Sequence, residues 1–162
     1  PDDIPLIRSI AEKAFRETYM SILSPGQIDF MMEWMYSEES LRRQMQEEGN
    51  AFFLYEDKGY VSIRPDGYRQ DRSLFHLEKL YVPQQYQRKG IGRKLLWKAI
   101  AYAKMYSVGV PIVELNVNRN NPAVGFYEKN GFSIEREVDN PIGQGFFMND
   151  YIMAIDFMPR KL

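Results

Sequence analysis

The stretch Leu80–Lys94, LYVPQQYQRKGIGRK, carries the strongest local signal in the chain. An apolar strand end stops at Pro83, a short polar loop follows, and Gly90 and Gly92 stand where a helical pattern begins. A helix start presents unpaired main-chain N–H groups and the positive end of its dipole to an anion. Because glycine has no Cβ, a phosphate can also approach the main chain closely there. The stretch therefore predicts a strand–loop–helix unit that binds a phosphate.

Basic residues surround this stretch without acidic ones. No Asp or Glu occurs between Glu78 and Glu114, whereas the same segment carries seven cations: Lys79, Arg88, Lys89, Arg93, Lys94, Lys98 and Lys104. In a chain of net charge −1 this excess has two interpretations, an anion-binding site or a solvated helix face. A dinucleotide-binding fingerprint is disfavoured because Leu95 stands where its third glycine would be. A P-loop is disfavoured because no Gly-Lys-Ser/Thr occurs.

Hydrophobic periodicity elsewhere predicts three helices followed by strands and two further helices. The helices are expected over 5–19, 25–36, 37–49, 90–106 and 121–130. The strands are expected over 51–56, 60–64, 74–82, 111–117, 132–138 and 150–157, with a turn at 65–67 and a Gly-rich loop over 139–149. This order predicts one α+β (mixed α/β) domain over 1–162, with helices in 1–49 and the sheet in 50–157.

The strand expected over 74–82 presents its side chains alternately to its two faces. Strict alternation places His76, Glu78 and Leu80 on one face. It places Phe75, Leu77 and Lys79 on the other, where the two apolar residues indicate a buried core. We therefore expect the polar pair His76 and Glu78 to share a surface with Leu80.

Composition excludes several classes of protein. The 162 residues are 44% hydrophobic and 27% charged, which is typical of one globular domain. With no cysteine and one histidine, a cysteine nucleophile or a thiolate metal site is excluded, and no metal site is expected. The near-neutral charge argues against binding to nucleic acid or to an anionic membrane. No apolar run approaches the length of a membrane span and no signal segment is evident, so the expected location is the cytoplasm.

Two motifs resemble signatures of the GNAT family of acetyl-CoA-dependent N-acetyltransferases. Gln87–Gly92, QRKGIG, is similar to the family's Q/R-x-x-G-x-G/A signature, and Leu80–Pro83 is similar to the strand before it. The second motif is Asn120-x-x-Ala123 followed by Phe126–Phe132, FYEKNGF. Family members usually begin with a strand before the first helix, whereas this chain opens in what resembles the loop after that strand.

The resemblance implies a central mixed, mostly antiparallel sheet flanked by helices and splayed at an acetyl-CoA site. The strand end Leu80–Val82 would separate from the strand at 112–117, and its freed main chain would pair with the pantetheine arm. The Leu80 N–H would face the thioester oxygen, and the N–H groups of Arg88–Arg93 would hold the pyrophosphate. The residues implied to bind the cosubstrate are Leu80, Tyr81, Val82, Gln87, Arg88, Lys89, Gly90, Ile91, Gly92, Arg93, Lys94, Asn120 and Tyr127.

The resemblance also implies groups that move or hold a proton. A primary amine with a pKa of about 10.4 is mostly protonated at neutral pH, so a proton acceptor promotes its attack. Glu78 and His76 are the two candidates, and the choice between them stays open. Tyr127 stands where the family has a tyrosine that protonates the departing sulfur. Full transfer from a tyrosine to a thiolate is uphill by about 2 kcal/mol, which favours a hydrogen bond instead.

The expected activity is acetyl transfer from acetyl-CoA to a primary amine of a small molecule. Residues 1–50 hold ten acidic and five basic side chains, a net of −5, which would suit a cationic acceptor such as a polyamine. The segments around 15–37 and 149–153 are similar to bacterial spermidine/spermine-type acetyltransferases. Acetylation of a protein N-terminus or lysine, a non-catalytic CoA-binding module, and a homodimer remain open alternatives.

Overall fold

The computed structural model describes residues 1–158 of the chain. Its helices are α1 (Ile4–Tyr19), α2 (Pro25–Tyr36), α3 (Glu38–Gln46), α4 (Ile91–Tyr106) and α5 (Ala123–Lys129), with a 3-10 turn at Gln84–Tyr86. Its strands are β1 (Ala51–Leu54), β2 (Tyr60–Arg69), β3 (Arg72–Tyr81), β4 (Ile112–Asn118), β5 (Ser133–Gly143) and β6 (Phe146–Asp156). They form one sheet in the order β1-β2-β3-β4-β6-β5.

The pairing of the strands confirms the predicted fold class. Strands β3 and β4 run parallel, and the other neighbours in the sheet run antiparallel. Helices flank both faces of this mixed, mostly antiparallel sheet. A core that includes Leu77, Leu96 and Val113 lies between the sheet and α4. A second core that includes Phe15, Met31 and Leu41 lies between α1, α2 and α3.

Local sequence explains where α2 and α3 begin. The Ser24 hydroxyl accepts a hydrogen bond from the Gln27 N–H, and the Ser37 hydroxyl accepts one from the Ser40 N–H, at 3.2 Å each. Such capping satisfies a main-chain donor that has no partner within the helix. Pro25 occupies the first turn of α2, where its missing N–H is not needed.

The β5–β6 hairpin is longer than the sequence predicted. Both strands continue through the expected 139–149 loop, with Asp139 opposite Asn149. The prediction of a long loop was wrong because the glycines there serve one tight turn, in which Gly143, Gln144 and Gly145 have positive φ. The hairpin end packs on α2, where the Phe146 and Phe30 ring centroids are 5.5 Å apart.

Strand β2 also extends past its predicted end. Residues 65–67 were expected to turn, but they lie in an irregular stretch of the β2–β3 ladder between Pro65 and Tyr68. A bulge of this kind tolerates a proline, which cannot donate to the ladder. The actual turn is formed by Gln70 and Asp71, both with positive φ.

Among residues 1–158, none of the helices combines the length and the apolar character that crossing a bilayer requires.

Candidate active site

The sheet opens between β3 and β4. Their parallel pairing runs from Leu74 opposite Ile112 to Leu77 opposite Leu115, and then stops. Beyond that point β3 continues to Tyr81 and β4 to Asn118, but within residues 1–158 their residues no longer pair. The end of β3 therefore has main-chain groups without a strand partner on the β4 side. This confirms the splayed strands implied by the sequence resemblance.

A bulge at Glu78 reverses the orientation of the side chains that follow it. In the β2–β3 ladder Ser62 pairs with Lys79 and Ile63 with Leu77, so Glu78 is the extra residue. Leu80 packs with the core beneath α4. The predicted sharing of one face by Leu80, Glu78 and His76 was wrong for this reason, because an inserted residue shifts the alternation by one.

Lys79 shows the same reversal. It was expected on the face of Phe75 and Leu77, yet its ammonium donates a hydrogen bond to the Gln44 side chain of α3 at 2.6 Å. The residue is 6% exposed, and its ammonium lies over the rings of Tyr36 and Phe52. Burial lowers the pKa of Lys79, although the neighbouring Glu78 carboxylate opposes that shift.

A cavity of about 730 Å³ lies between the end of β3, the start of α4 and the start of α5; we call it the α4 cavity. Most of the residues predicted to bind the cosubstrate line it: Leu80, Tyr81, Val82, Gln87, Arg88, Gly90, Ile91, Gly92, Arg93, Asn120 and Tyr127. Lys89 and Lys94 are not part of the lining. Sequence analysis did not single out the contributions of the end of α1, of the segment that follows it and of the loop before α5, which are Glu17, Thr18, Ser21, Ile22, Asn121 and Pro122.

Gly90 caps α4 in a left-handed conformation, with φ of 79°. A Cβ built at this position would meet no atom within 4 Å, so the main chain there faces open space. A side chain at Gly90 would be strained by the positive φ and would occupy that space. The main chain at the start of α4 is therefore accessible from the cavity, and its role as a phosphate site stays a prediction.

Contacts of the basic residues separate the two interpretations of the local charge. The ammonium groups of Lys94, Lys98 and Lys104 lie over the rings of Tyr55, Phe53 and Phe157, at 4.3–5.5 Å from the ring centroids. These three lysines thus cover apolar surface of α4 and the sheet. Arg88 and Arg93 line the α4 cavity instead, so the anion-binding interpretation fits them.

The Gln87 side chain stabilises the loop between β3 and α4. Its amide donates a hydrogen bond to the Val82 carbonyl at 2.8 Å. This contact joins the two ends of the loop.

Tyr127 lies on α5 and faces the α4 cavity. It is 7% exposed, and its ring packs against Phe126 and Phe132. The hydrogen bonds found within residues 1–158 include none from its hydroxyl. Burial raises the pKa of Tyr127 well above its ordinary value, and the nearby Tyr19 adds a smaller upward shift. The hydroxyl therefore keeps its proton and is a hydrogen-bond donor toward the cavity.

A second cavity of about 410 Å³, the N-terminal cavity, lies on the opposite face of the sheet. Its lining comes from α1, α2, α3, β2, β3, β4 and β6: Phe15, Tyr19, Met31, Trp34, Met35, Tyr36, Ser40, Arg43, Gln44, Glu48, Arg64, His76, Glu78, Lys79, Tyr81, Asn116, Asn118, Met148 and Asp150. Tyr81 is common to the linings of both cavities. Both cavities therefore reach the end of β3, where the sheet is open.

The two predicted proton acceptors, Glu78 and His76, both line the N-terminal cavity. Glu78 accepts a short hydrogen bond from Arg64, and the Lys79 ammonium lies 3.6 Å from its other oxygen. Burial alone would raise the pKa of Glu78, but these two cations outweigh burial and hold it below the ordinary value. His76 contacts Glu114, with 3.4 Å between Nδ1 and the carboxylate oxygen. That hydrogen bond lowers the pKa of Glu114.

Sequence analysis missed Asp150 on β6. This carboxylate is 1% exposed and lines the N-terminal cavity. Burial raises its pKa, and the hydrogen bond from Asn116 and the charge of Arg119 only partly oppose that effect. The available signal was an acidic residue at the start of an otherwise apolar strand, DYIMAI, which is an unusual position for an unpaired charge.

Three side chains could offer ligand atoms to a metal ion. Asp66, His76 and Glu114 bring one such atom each within 4.8 Å of one another. Arg64 already donates to Asp66 at 3.0 Å, so a guanidinium compensates part of the negative charge that a cation would need. The expectation of no metal site stays a prediction.

The structure thus combines a sheet splayed beside a glycine-capped helix start with one cavity on each face of the sheet at that opening. A family model described as an acetyltransferase (GNAT) domain matches residues 22–143. The chain therefore belongs to the GNAT family of N-acetyltransferases. It is an acyltransferase whose cosubstrate is acetyl-CoA.

Several relatives share this family and fold. The chain is 28% identical over 140 residues to a probable N-acetyltransferase of Mycobacterium tuberculosis, covering 83% of this chain and 77% of the relative. It is 28% identical over 144 residues to a spermidine N(1)-acetyltransferase of Thermoplasma acidophilum, covering 83% and 84%. A crystal structure of the PaiA N-acetyltransferase from Thermoplasma acidophilum in complex with coenzyme A superposes with a TM-score of 0.75. That match has 25% identity and covers 96% of this chain and 94% of the other.

Proposed function

We propose that the protein acetylates a primary amine of a small molecule by direct attack on acetyl-CoA within a ternary complex. The observation that carries this proposal is that the α4 cavity and the N-terminal cavity share Tyr81 in their linings, at the splayed end of β3. Two substrates that enter from opposite faces of the sheet can touch only where the sheet is open. Holding both at that point replaces a bimolecular encounter by a reaction between neighbours.

The residues of the α4 cavity fit acetyl-CoA. The open space above Gly90 admits a phosphate, and the N–H groups of Arg88–Arg93 stand at the positive end of a helix of 16 residues. The unpaired end of β3 can accept the pantetheine arm as an added strand, with the Leu80 N–H directed at the thioester oxygen. Bound acetyl-CoA supplies an acetyl group activated as a thioester. Asn120 is proposed to contact its arm, since it lines the same cavity.

Tyr127 is proposed to hydrogen-bond the sulfur as the thiol leaves. Its raised pKa keeps the phenol protonated, so the hydroxyl stabilises the developing negative charge without transferring its proton completely. Its position in the α4 cavity and the absence of another partner in residues 1–158 leave the hydroxyl available for that bond.

Glu78 is proposed as the nearer of two proton acceptors, working through water, with His76 as the alternative. Glu78 precedes Leu80 by two residues on β3, and His76 precedes it by four. The charges of Lys79 and Arg64 keep Glu78 ionised at neutral pH but also weaken it as a base. Its contribution is therefore expected to be smaller than that of an unpaired carboxylate.

The acceptor is proposed to be a small amine, with spermidine as the first compound to test. The N-terminal cavity is compact, and one relative is named for spermidine acetylation. The acidic excess of residues 1–50 contributes little directly, because Glu48 is the only one of those ten acids that lines the cavity. Cations and carboxylates balance in the lining, with Arg43, Arg64 and Lys79 against Glu48, Glu78 and Asp150.

A thiol-release assay with acetyl-CoA tests the proposal directly. Polyamines, amino acids, aminoglycosides and short peptides are offered in parallel, and the release of CoA is followed with a thiol reagent. Turnover with a small amine, with peptides inactive, is the expected result. Turnover with peptides alone would replace the proposal by protein acetylation. Binding of acetyl-CoA without turnover on any amine would make the protein a CoA-binding module.

A further inference from the structure

Asp150 occupies the point on β6 where β4 has left β3. It pairs with Asn118, the last residue of β4, whereas the β3–β4 ladder has already stopped at Leu115. Its side chain is 1% exposed and lines the N-terminal cavity. A carboxylate is thus buried at the edge of the opening in the sheet.

Asp150 differs from the other charged groups of this cavity because it has no ionic partner. Arg43 pairs with Glu48 at 3.4 Å, and Arg64 and Lys79 both pair with Glu78. Of the ion pairs within residues 1–158, none includes Asp150, whose carboxylate accepts one hydrogen bond, from the Asn116 amide at 3.3 Å. An ionised carboxylate that is buried without a counter-ion is unfavourable, and a cationic ligand would relieve that cost.

The neighbouring guanidinium is directed elsewhere. Arg119 donates to the carboxylate of Asp139 and to the Val138 carbonyl, both on β5. It reaches Asp150 only at the main-chain carbonyl, at 3.4 Å. The side chain of Asp150 is therefore left facing the cavity.

The lining of the N-terminal cavity connects Asp150 to the open end of β3. Asp150, Tyr19 and Tyr81 all line this cavity, and the Tyr19 and Tyr81 hydroxyls lie 3.3 Å apart. Tyr81 also lines the α4 cavity, which contains Tyr127. Asp150 therefore lies in the cavity from which an amine would approach the thioester, at the edge of the opening in the sheet.

We infer that the Asp150 carboxylate binds the ammonium group of the acceptor and positions its nitrogen beside Tyr81 before the proton is lost. This inference rests on the proposed amine acetylation and adds the residue that recognises the amine. The hydroxyls of Tyr19 and Tyr81 offer further acceptors for the remaining ammonium protons. The preferred acceptors are then strongly basic alkylamines, because weakly basic arylamines arrive without the charge that Asp150 recognises.

The first test compares Asp150→Asn with Asp57→Asn, using spermidine or the amine with the highest turnover in the thiol-release panel. Replacing Asp150 by Asn retains the size of the side chain and removes its charge, so the KM for the amine should rise on the order of 10²-fold. The stabilisation of the variant by acetyl-CoA should match that of wild type. Asp57 is exposed in the turn between β1 and β2 and lines neither cavity, so Asp57→Asn should change the KM by less than about threefold. An unchanged KM in Asp150→Asn would overturn the inference.

A swap variant distinguishes binding from a structural role. Asn116→Asp combined with Asp150→Asn returns a carboxylate to the same hydrogen-bonded pair. The KM of this double variant for the amine should be at least about tenfold lower than that of Asp150→Asn. An equal KM in the two variants would make Asp150 a structural residue.

A third measurement needs no variant and applies even if Asp150→Asn does not fold. Butylamine and 1-butanol are compared as competitive inhibitors of the wild-type enzyme, and the charged compound should bind on the order of 10²-fold more tightly. Equal inhibition by the two compounds would also overturn the inference. An enzyme that acetylates no amine at all would instead refute the proposed function, which separates the two failures.

Discussion

The two cavities on either side of the sheet are built by different means. The α4 cavity is formed mainly by one continuous segment, Leu80–Arg93, and it offers main-chain N–H groups around a left-handed glycine. The N-terminal cavity instead collects charged and aromatic side chains from seven helices and strands. Recognition by main chain depends on local geometry, whereas recognition by side chains depends on how distant elements meet. Mutations in the α4 cavity should therefore affect the binding of acetyl-CoA, and mutations in the N-terminal cavity should affect the binding of the amine.

The largest effect is expected at Tyr127, which lines the α4 cavity and is proposed to stabilise the leaving thiolate. Tyr127→Phe removes one hydroxyl and retains the ring that packs on Phe126 and Phe132. Loss of a preorganised donor to a developing anion lowers kcat on the order of 10²–10³-fold, about 2.7–4 kcal/mol. The dissociation constant for acetyl-CoA should change far less, because the bond forms mainly in the transition state.

An acetyl thioester with a more acidic leaving thiol is the control for this prediction. A better leaving group needs less stabilisation, so the gap in kcat between Tyr127→Phe and wild type should narrow. A variant that loses acetyl-CoA affinity in proportion to activity would show that Tyr127 is a binding residue.

Gly90→Val is expected to have the next largest effect, confined to the α4 cavity. The valine side chain would occupy the open space at the start of α4 and would strain a residue with φ of 79°. The affinity for acetyl-CoA should fall at least about tenfold, and most of the thermal stabilisation by acetyl-CoA should disappear. Amine binding measured by competition should be retained. Retention of the full acetyl-CoA shift would mean that the phosphate site lies elsewhere.

Glu78→Gln tests the N-terminal cavity and should lower kcat by about tenfold. General bases typically contribute 10²–10⁴-fold, and a carboxylate held at low pKa by Arg64 and Lys79 is expected to contribute less. His76→Gln should have the smaller effect. The reverse order, measured as kcat at saturating acetyl-CoA, would assign proton removal to His76. If neither exchange matters, the proton leaves to solvent by another route.

The smallest effect concerns stability rather than rate. Because burial raises the pKa of Asp150 in the folded state, its charged form destabilises the fold above that pKa, and the destabilisation vanishes below the unfolded-state pKa. Asp150→Asn should therefore raise Tm by a few degrees at most at neutral pH and by progressively less as the pH falls through the acidic range. Thermal melts at several pH values without ligand test this. A lower Tm at neutral pH would show that the charge stabilises the fold.

The contrast between the cavities also explains what the sequence could predict. Gly90, Arg93 and Tyr127 lie in short motifs whose neighbours along the chain are also their neighbours in space. The fold class followed from periodicity, because helices and strands are local. The placement of Lys94 over the ring of Tyr55 had no such signal, because Tyr55 is distant from it along the chain.

Two features of the N-terminal cavity depend on the tertiary structure, and only Asp150 had even a weak local signal. The bulge at Glu78 arises from the register of β3 against β2, and a strand read alone appears to alternate without interruption. The role inferred for Asp150 depends on its having no ionic partner within residues 1–158, which becomes visible only when β4 and β5 are placed around it. Side-chain sites assembled from distant segments therefore require the tertiary structure.

In β3 the alternation of side chains between the two faces of the sheet is shifted by one residue after Glu78. Deleting that residue would restore the phase, which would turn Tyr81 toward the core beneath α4 and Leu80 toward the charged side chains near α3. Leu80 and Tyr81 would thus exchange faces of the sheet at the open end of β3. Related sequences are therefore expected to vary in residue type along this strand while its length stays constant, because a substitution preserves the phase and a single-residue gap does not.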